Sequence, residues 1–515
     1  MAEMNKQPNA EMAPAKKKRH SLSAFTILVI ILAVLCIISV LLNGAEISDS
    51  IIKTLDPEKY GDLLEMVDGG EHVSVVAAKL QDFVMAIPNG FTDASDLLMF
   101  IVALGGFLNV VMKTGALEAG INALVHKMHG KEEWLIVVLM FLFSLGGTTY
   151  GMAEETIGFY AFITSAMVIA GFDSIVALAT VLVGSASGCL GSTINPFATG
   201  VAIGGLNAIG IEPNSGQIYL IGAILWLAVV AIAIAFTLRY AKKVKRDKGS
   251  TILSLQEQEI MREHFGEEDP NAKIEFTGRH KAILCVFALM FVVMIVSLIS
   301  YQDLVFGGDE EAYLAALGWS DFLTGEPLGW WYFLHLAAWF IIGSIVIALI
   351  GGYSEHSYIE TFIEGSKDLL SVGIIIAVSR GITVVMGKTH MDFWILDQCT
   401  RILQGVPGAV FIPLSLVVYI LLSFLVPSTS GLAGLSIPVM GGLAAQLGFN
   451  PNIMVNVFTA GSGVVNMATP TSGVVMGGVA AARVEYATYL KWVFKLLILI
   501  AVACAIILTI AEMIL

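Results

Sequence analysis

The sequence predicts an all-α polytopic membrane protein with two inverted repeats, each holding a re-entrant helical hairpin and a broken transmembrane helix. Three observations predict it. First, 57% of the 515 residues are hydrophobic and only 14% are charged, where soluble proteins carry roughly 25% charge. Second, two apolar runs are interrupted in their middles: GSASGCLGSTINPFATGVAIGG from Gly184 to Gly205, and GSGVVNMATPTSGVVMGG from Gly461 to Gly478. Pro196 and Pro470 each remove a backbone donor and break the helix there. Freed backbone groups at membrane depth must be buried in protein or line a cavity. Third, the same order of segments occurs twice, about 275 residues apart. Paired broken helices in two halves point to a transporter's binding site near mid-bilayer.

Composition also excludes function classes. The net charge of -14 carries no argument for a nucleic-acid partner, and none is expected. Cys36, Cys189, Cys285, Cys399 and Cys504 are scattered, without metal or disulfide spacing. No P-loop, nucleophile elbow or zinc-protease motif occurs. Neither ATP-driven transport nor enzyme activity is expected.

In chain order, residues 1–20 form a cytoplasmic tail ending in Lys16-Lys17-Lys18-Arg19, by the positive-inside rule. The first repeat covers 21–240. Ser21–Leu42 is long enough for a retained span. Residues 44–91 read as an external loop with amphipathic helix, Leu97–Met112 as a span, and 113–133 as a cytoplasmic segment. The run 134–170 is too long for one span, and Gly146-Gly147-Thr148-Thr149-Tyr150-Gly151 interrupts it, which reads as the turn of a hairpin. The broken helix is 174–206, and Ile218–Tyr240 is the span after it. Lys242-Lys243-Val244-Lys245-Arg246 opens a cytoplasmic linker, 241–281. Residues 282–328 form a connecting span and an external loop.

The second repeat covers 329–515. Trp330 and Trp331 start a span as an interfacial belt. Residues 354–368 read as cytoplasmic and amphipathic, Leu369–Met386 as a span, and 388–405 as an outer amphipathic segment. A second hairpin, 409–447, turns at Val426-Pro427-Ser428-Thr429-Ser430-Gly431. The second broken helix is 452–483, and a ninth span runs to Leu515, which places the C-terminus outside. Local likeness supports the repeat: Val111-Met112-Lys113-Thr114-Gly115 against Val385-Met386-Gly387-Lys388-Thr389, and Asn195-Pro196 against Thr469-Pro470.

Intramembrane charges are the first candidates for a site. Each carboxylate of Glu154 and Glu155 costs at least about 2.5 kcal/mol at membrane depth. Either could bind a cationic substrate, a sodium ion or a proton; adjacent residues point about 100° apart on a helix, so one of the two faces the site. Arg380 either receives a substrate carboxylate or pairs structurally with one of the glutamates. Thr148, Thr149, Ser428, Thr429 and Ser430 at the hairpin turns, with Asn195, Asn466, Thr469, Thr471 and Ser472 at the breaks, complete the substrate set. Ser192, Thr193, Asn195 and Thr469 supply hard oxygen ligands for a sodium ion, the one ion expected as a cofactor.

GMAEE after the first glycine-rich turn, STINPF at the first break and ATPTSG at the second resemble the basic amino acid antiporter family. That family groups with arginine–ornithine antiporters and anaerobic carriers of four-carbon dicarboxylates, within the ion transporter superfamily. The resemblance runs from residue 22 onward. It implies a scaffold domain, a transport domain holding both hairpins and both broken helices, homodimers and elevator-type alternating access. It implies a secondary transporter of the cell inner membrane carrying small molecules: arginine, ornithine or lysine by exchange or with sodium or protons. The alternative is a carrier of dicarboxylates or other small organic anions. The superfamily's dicarboxylate carriers have Ser-Asn-Thr at these turns; this chain has Gly-Gly-Thr-Thr and Pro-Ser-Thr-Ser-Gly, so their ion sites do not transfer. A channel or a membrane-embedded enzyme is the non-transport alternative, without a nucleophile–base pair to support it.

Overall fold

The structure is a computed structural model that describes residues 24–515 apart from 56, 118, 121–122, 124–130, 266–275, 300, 405 and 427. The expected tail 1–20, much of 113–133, the middle of the linker and Pro427 lie outside the described residues.

The described residues are helical. The principal helices are α1 (Ala24–Leu41), α2 (Leu80–Asp93), α3 (Ser95–Lys113), α4 (Glu133–Tyr150), α5 (Tyr160–Ile169), α6 (Gly184–Gly191), α7 (Val201–Ala208) and α8 (Ser215–Arg246). After them come α9 (Leu255–Phe265), α10 (Gly278–Leu298), α11 (Phe333–Gly351), α12 (Glu355–Lys388), α13 (Met391–Leu403) and α14 (Gly408–Leu425). The chain ends with α15 (Thr429–Gln446), α16 (Pro451–Asn466), α17 (Gly473–Ala481) and α18 (Tyr486–Ile514). Among the described residues, seven helices are long and apolar enough to cross a membrane, or eight if the pair bent by 72° between α12 and α13 is one span. Hydropathy alone leads to nine. Three expected spans drop out and one is gained: α1 is too short, α12 and α13 bend, and Thr469-Pro470 divides α16 from α17, whereas the hairpin arm α4 is long enough to qualify.

Three sequence readings change. Residues 354–368 and 369–386 are not two segments but one helix of 34 residues, α12. The region before residue 92 is not only an outer loop, because α2 lies along α12. Gly90 is packed so that any Cβ would overlap the Ala377 carbonyl and the Gly381 amide, and one at Gly381 would meet the Ala86 carbonyl at 2.6 Å. Further along the pair, Gly105 and Gly365 press on each other's carbonyls. Asp82 pairs with Lys388 at one end (3.7 Å) and Lys113 with Glu364 at the other (2.7 Å). Thus α2 and α3 together run antiparallel to α12 over its whole length. Finally, the first hairpin does not turn at Gly146. Helix α4 continues through Tyr150 and turns at Gly151, whose φ of 80° suits glycine.

Of the two glycines that open the expected turn, Gly146 faces the Met152 side chain, and Gly147 serves a helix crossing. A Cβ at Gly147 would overlap the Ser185 carbonyl, and one at Gly188 the Ser144 carbonyl. Small residues allow the backbones of α4 and α6 to touch. On the other side of α6, Gly191 lies against the backbone of Trp226 in α8. The broken run 174–208 is therefore enclosed by protein, which allows it to leave its helical ladder.

Beyond α8 the linker is tied to the helices. Tyr240 and Thr251 donate hydroxyls to the Asp173 carboxylate (2.7 and 2.6 Å) at the exit of the first hairpin. Glu257 accepts from the Glu485 amide (3.0 Å) and the Thr488 hydroxyl (3.2 Å) at the start of α18.

Candidate functional site

The polypeptide at each break is satisfied by specific partners. At the first, Asn195 accepts from the amides of Phe197 (2.9 Å) and Ala198 (3.3 Å), capping the helical turn that Pro196 begins. Thr199 donates to the Ser192 carbonyl (2.6 Å). Thr193 donates its amide and its hydroxyl to the Thr148 carbonyl, both at 2.9 Å. At the second break, Tyr489 and Tyr486 of α18 donate to the carbonyls of Met467 and Ala468, both at 2.7 Å. Thr471 donates to the Phe424 carbonyl (3.2 Å), and Ser379 of α12 donates to the Thr471 carbonyl.

Both hairpin turns dock on these breaks. Gly151 rests on the Asn195 side chain, so close that a Cβ would come within 2.8 Å of its amide atoms. Ser185 and Cys189 of α6 donate to the Met152 carbonyl. On the other side, Asn466 donates to Thr429 and to Ser462, each at 3.3 Å.

A cavity of about 170 Å³ lies where these elements meet. Glu154, Glu155, Asn195, Arg380, Ser428, Thr429, Ser430, Asn466 and Ser472 all line it, so both hairpin turns and both breaks contribute. Thr471 lines a smaller adjoining space of about 40 Å³ with Glu154, Ser379, Arg380 and Ser472. Three expected substrate residues stay outside both. Thr148 is buried against Thr193, Thr149 bonds back to the Leu145 carbonyl (2.7 Å), and Thr469 pairs with the Thr471 hydroxyl (2.7 Å). Helix α4 runs further than expected, which keeps both threonines inside the helix, before the turn. Of the oxygens expected to hold sodium, those of Thr193, Asn195 and Thr469 are engaged in the bonds above. The Ser192 hydroxyl is buried without a partner among the described residues.

Both glutamates reach the cavity, rather than one. Glu155 is 7% exposed and accepts the Ala153 amide at 3.0 Å. Glu154 and Arg380 make no hydrogen bond among the described residues; the ion-pair partner of Arg380 is Asp93, at 4.0 Å. Arg380 therefore pairs with neither glutamate. The cavity holds two carboxylates and one guanidinium, with most of their hydrogen-bonding capacity unspent.

Sequence reasoning missed Tyr332, Phe197, Ser185, Ser462 and Asp93. The rings of Tyr332 and Phe197, 6.1 Å apart, face each other at the cavity. Tyr332 follows the Trp330-Trp331 belt directly, which hides it as an interfacial aromatic. The signal for Ser185 and Ser462 is that each sits one or two turns before its break, on the buried side of the helix.

The family described as DcuC, C4-dicarboxylate anaerobic carrier, matches residues 22–513. An uncharacterized protein of Haemophilus influenzae is 32% identical over 419 residues, covering 81% of this chain and 75% of that protein. The Escherichia coli protein named "Putative basic amino acid antiporter YfcC" is 26% identical over 410 residues, covering 77% of this chain and 74% of that one. Among solved structures, the Alcanivorax borkumensis YdaH transporter aligns with a TM-score of 0.44 at 15% identity, over 94% of this chain and 97% of that chain. Neisseria gonorrhoeae MtrF aligns with a TM-score of 0.43 at 16% identity, over 96% of both.

Proposed function

We propose that this chain, which belongs to the DcuC family of C4-dicarboxylate anaerobic carriers, exchanges basic amino acids across the cell inner membrane. One observation carries the choice of substrate: Glu154, Glu155 and Arg380 line one cavity, and Arg380 is not neutralised by either glutamate. A basic amino acid has one carboxylate and two cationic groups, the inverse of that set. Its carboxylate suits the planar guanidinium of Arg380, which offers two parallel donors. Its side-chain cation suits Glu154, with Glu155 behind it for the α-ammonium. Neutral oxygens from Asn195, Ser428, Thr429, Ser430 and Ser472 surround the polar ends. The relative named as a basic amino acid antiporter supports the same substrate.

Exchange fits this charge balance, because a second cationic amino acid replaces the first in the same field. The alternating cycle is an elevator in a homodimer. Hairpins and broken helices, bound to each other by the contacts at Gly147, Gly188 and Asn466, move as one body. The antiparallel pair of α2–α3 with α12 is the fixed one. That pairing supports the inverted-repeat reading, and the basic cluster after α8 supports a cytoplasmic linker and N-terminus.

The family's description favours a second reading, a four-carbon dicarboxylate held by Arg380 and the hydroxyls of Ser428 and Thr429. It must bring a dianion beside two carboxylates, which repel it unless they are neutralised. A thermal-shift screen on purified protein separates the two. Arginine, ornithine and lysine are compared with succinate, fumarate and aspartate, each with and without sodium. Stabilisation by the basic set is expected. Stabilisation by dicarboxylates alone would move the chain to the second reading, and a requirement for sodium would replace exchange by symport.

A further inference from the structure

The charge that remains beside the cavity is Asp93, at the end of α2. Its place is set by tight packing. Gly90, one turn earlier, lies backbone to backbone on Ala377 and Gly381, which flank Arg380 on α12. The helix ends at Ala94, with φ -100° and ψ 12°, and α3 starts at Ser95. The carboxylate of Asp93 is thereby held 4.0 Å from Nε of Arg380. That separation is within ion-pair range but too long for a hydrogen bond. Arg380 feels an opposing charge while its donors stay unspent.

We propose that Asp93 is the resident counter-ion of Arg380, a positioning residue that holds the guanidinium at the cavity wall and weakens its grip on an incoming carboxylate. This rests on the reading that Arg380 receives a ligand carboxylate. A carrier must release what it binds. An uncompensated, desolvated arginine would hold a carboxylate through two charge-assisted bonds. With Asp93 alongside, part of that attraction is already spent, and the ligand gains only the difference. Asp93 touches no ligand in this scheme; it acts through Arg380 alone. It therefore affects only ligands with a carboxylate.

The test is equilibrium binding to the purified full-length protein with two probes, L-arginine and agmatine, the same cation without the carboxylate. Asp93→Asn is expected to tighten arginine binding by about twofold to fivefold, the size of a partly exposed ion pair, and to leave agmatine unchanged. In an Arg380→Gln background the effect of Asp93→Asn is expected to vanish, as a double-mutant cycle requires. Asp96→Asn, just past the break and not within ion-pair distance of Arg380, is the control expected to change neither. Equal shifts for both probes, weaker arginine binding, or an effect that survives Arg380→Gln would overturn the proposal. If the amide does not fold, Asp93→Ser serves the same test. If the unmodified protein binds succinate and no basic ligand, the substrate reading has failed, and the same cycle run with succinate still decides the role of Asp93. Binding of neither probe nor succinate would reject both.

Discussion

Glu154→Gln is the substitution that separates a cation site from an anion site. The glutamate lines the cavity, is partly exposed, and makes no hydrogen bond to the described protein. Its replacement is nearly isosteric and removes one charge. If Glu154 receives the side-chain cation of arginine, the loss is one charge-assisted hydrogen bond, about 1.5–3 kcal/mol. That corresponds to about a 10- to 150-fold rise in Kd. Because Glu154 is partly exposed, screening places the effect toward the lower end. Glu155 gives a comparison within the same site: it already accepts the Ala153 amide, and its glutamine can still accept that bond. Glu155→Gln is therefore expected to cost arginine binding less than Glu154→Gln. The assay is isothermal titration of purified protein with arginine and with succinate, alongside a melting curve to confirm the fold. Succinate should bind Glu154→Gln no more weakly than the unmodified protein, since a like charge has gone. Arginine affinity kept within about twofold in a folded variant is the result that would refute the reasoning, because a bond of that strength cannot be lost without a change in Kd.

Other substitutions test the framework around the site. Pro196→Ala and Pro470→Ala each return a backbone donor and remove a steric bar to the helix, so exchange in proteoliposomes should fall about tenfold or more, with expression retained. Loss of folding in both, with full specific activity in what remains, would count against the breaks as site-makers. Gly381→Leu drives a side chain into the Ala86 carbonyl and should destabilise the helix pair by about 1–3 kcal/mol, read as a lower melting temperature. Gly387→Leu, with open space around it, is the matched control; equal melting of the two would show that the pair is not closely packed. Tyr489→Phe strips the Met467 carbonyl of its donor (2.7 Å) at a cost of about 1–3 kcal/mol. Both melting temperature and arginine affinity should drop, and an unchanged affinity would mean that the second break does not shape the cavity.

The breaks at Asn195-Pro196 and Thr469-Pro470 are legible in the sequence because proline acts locally: it removes a donor wherever it stands. The second hairpin turn is legible too, and falls between α14, ending at Leu425, and α15, starting at Thr429. The first is legible only as the stretch 146–151: the turn falls at its last residue, because Gly147 serves a helix crossing that only the position of Ser185 on another element reveals. Helix α2 is legible as an amphipathic helix, but its pairing with α12 is not. Asp82 and Asp93 lower its hydropathy, yet each meets a cation of α12, Lys388 and Arg380. Paired charges lower the cost of packing a charged helix against α12. Such pairing is a property of two segments far apart in sequence, invisible in either one. The same pair carries one more consequence. The contact of Gly90 with Ala377 and Gly381 and that of Gly365 with Gly105 are one contact made twice, about 275 residues apart. With an offset of about 275, Arg380 falls within Leu104-Gly105-Gly106, which carries no charge. The helix pair is thus symmetric in how its backbones touch and asymmetric in charge. In the proposed cycle, a cavity that travels along this pair would meet a guanidinium at one end and an uncharged stretch at the other. The carboxylate of the substrate would then be held more tightly on one face of the membrane, and Arg380→Gln should weaken binding on that face alone.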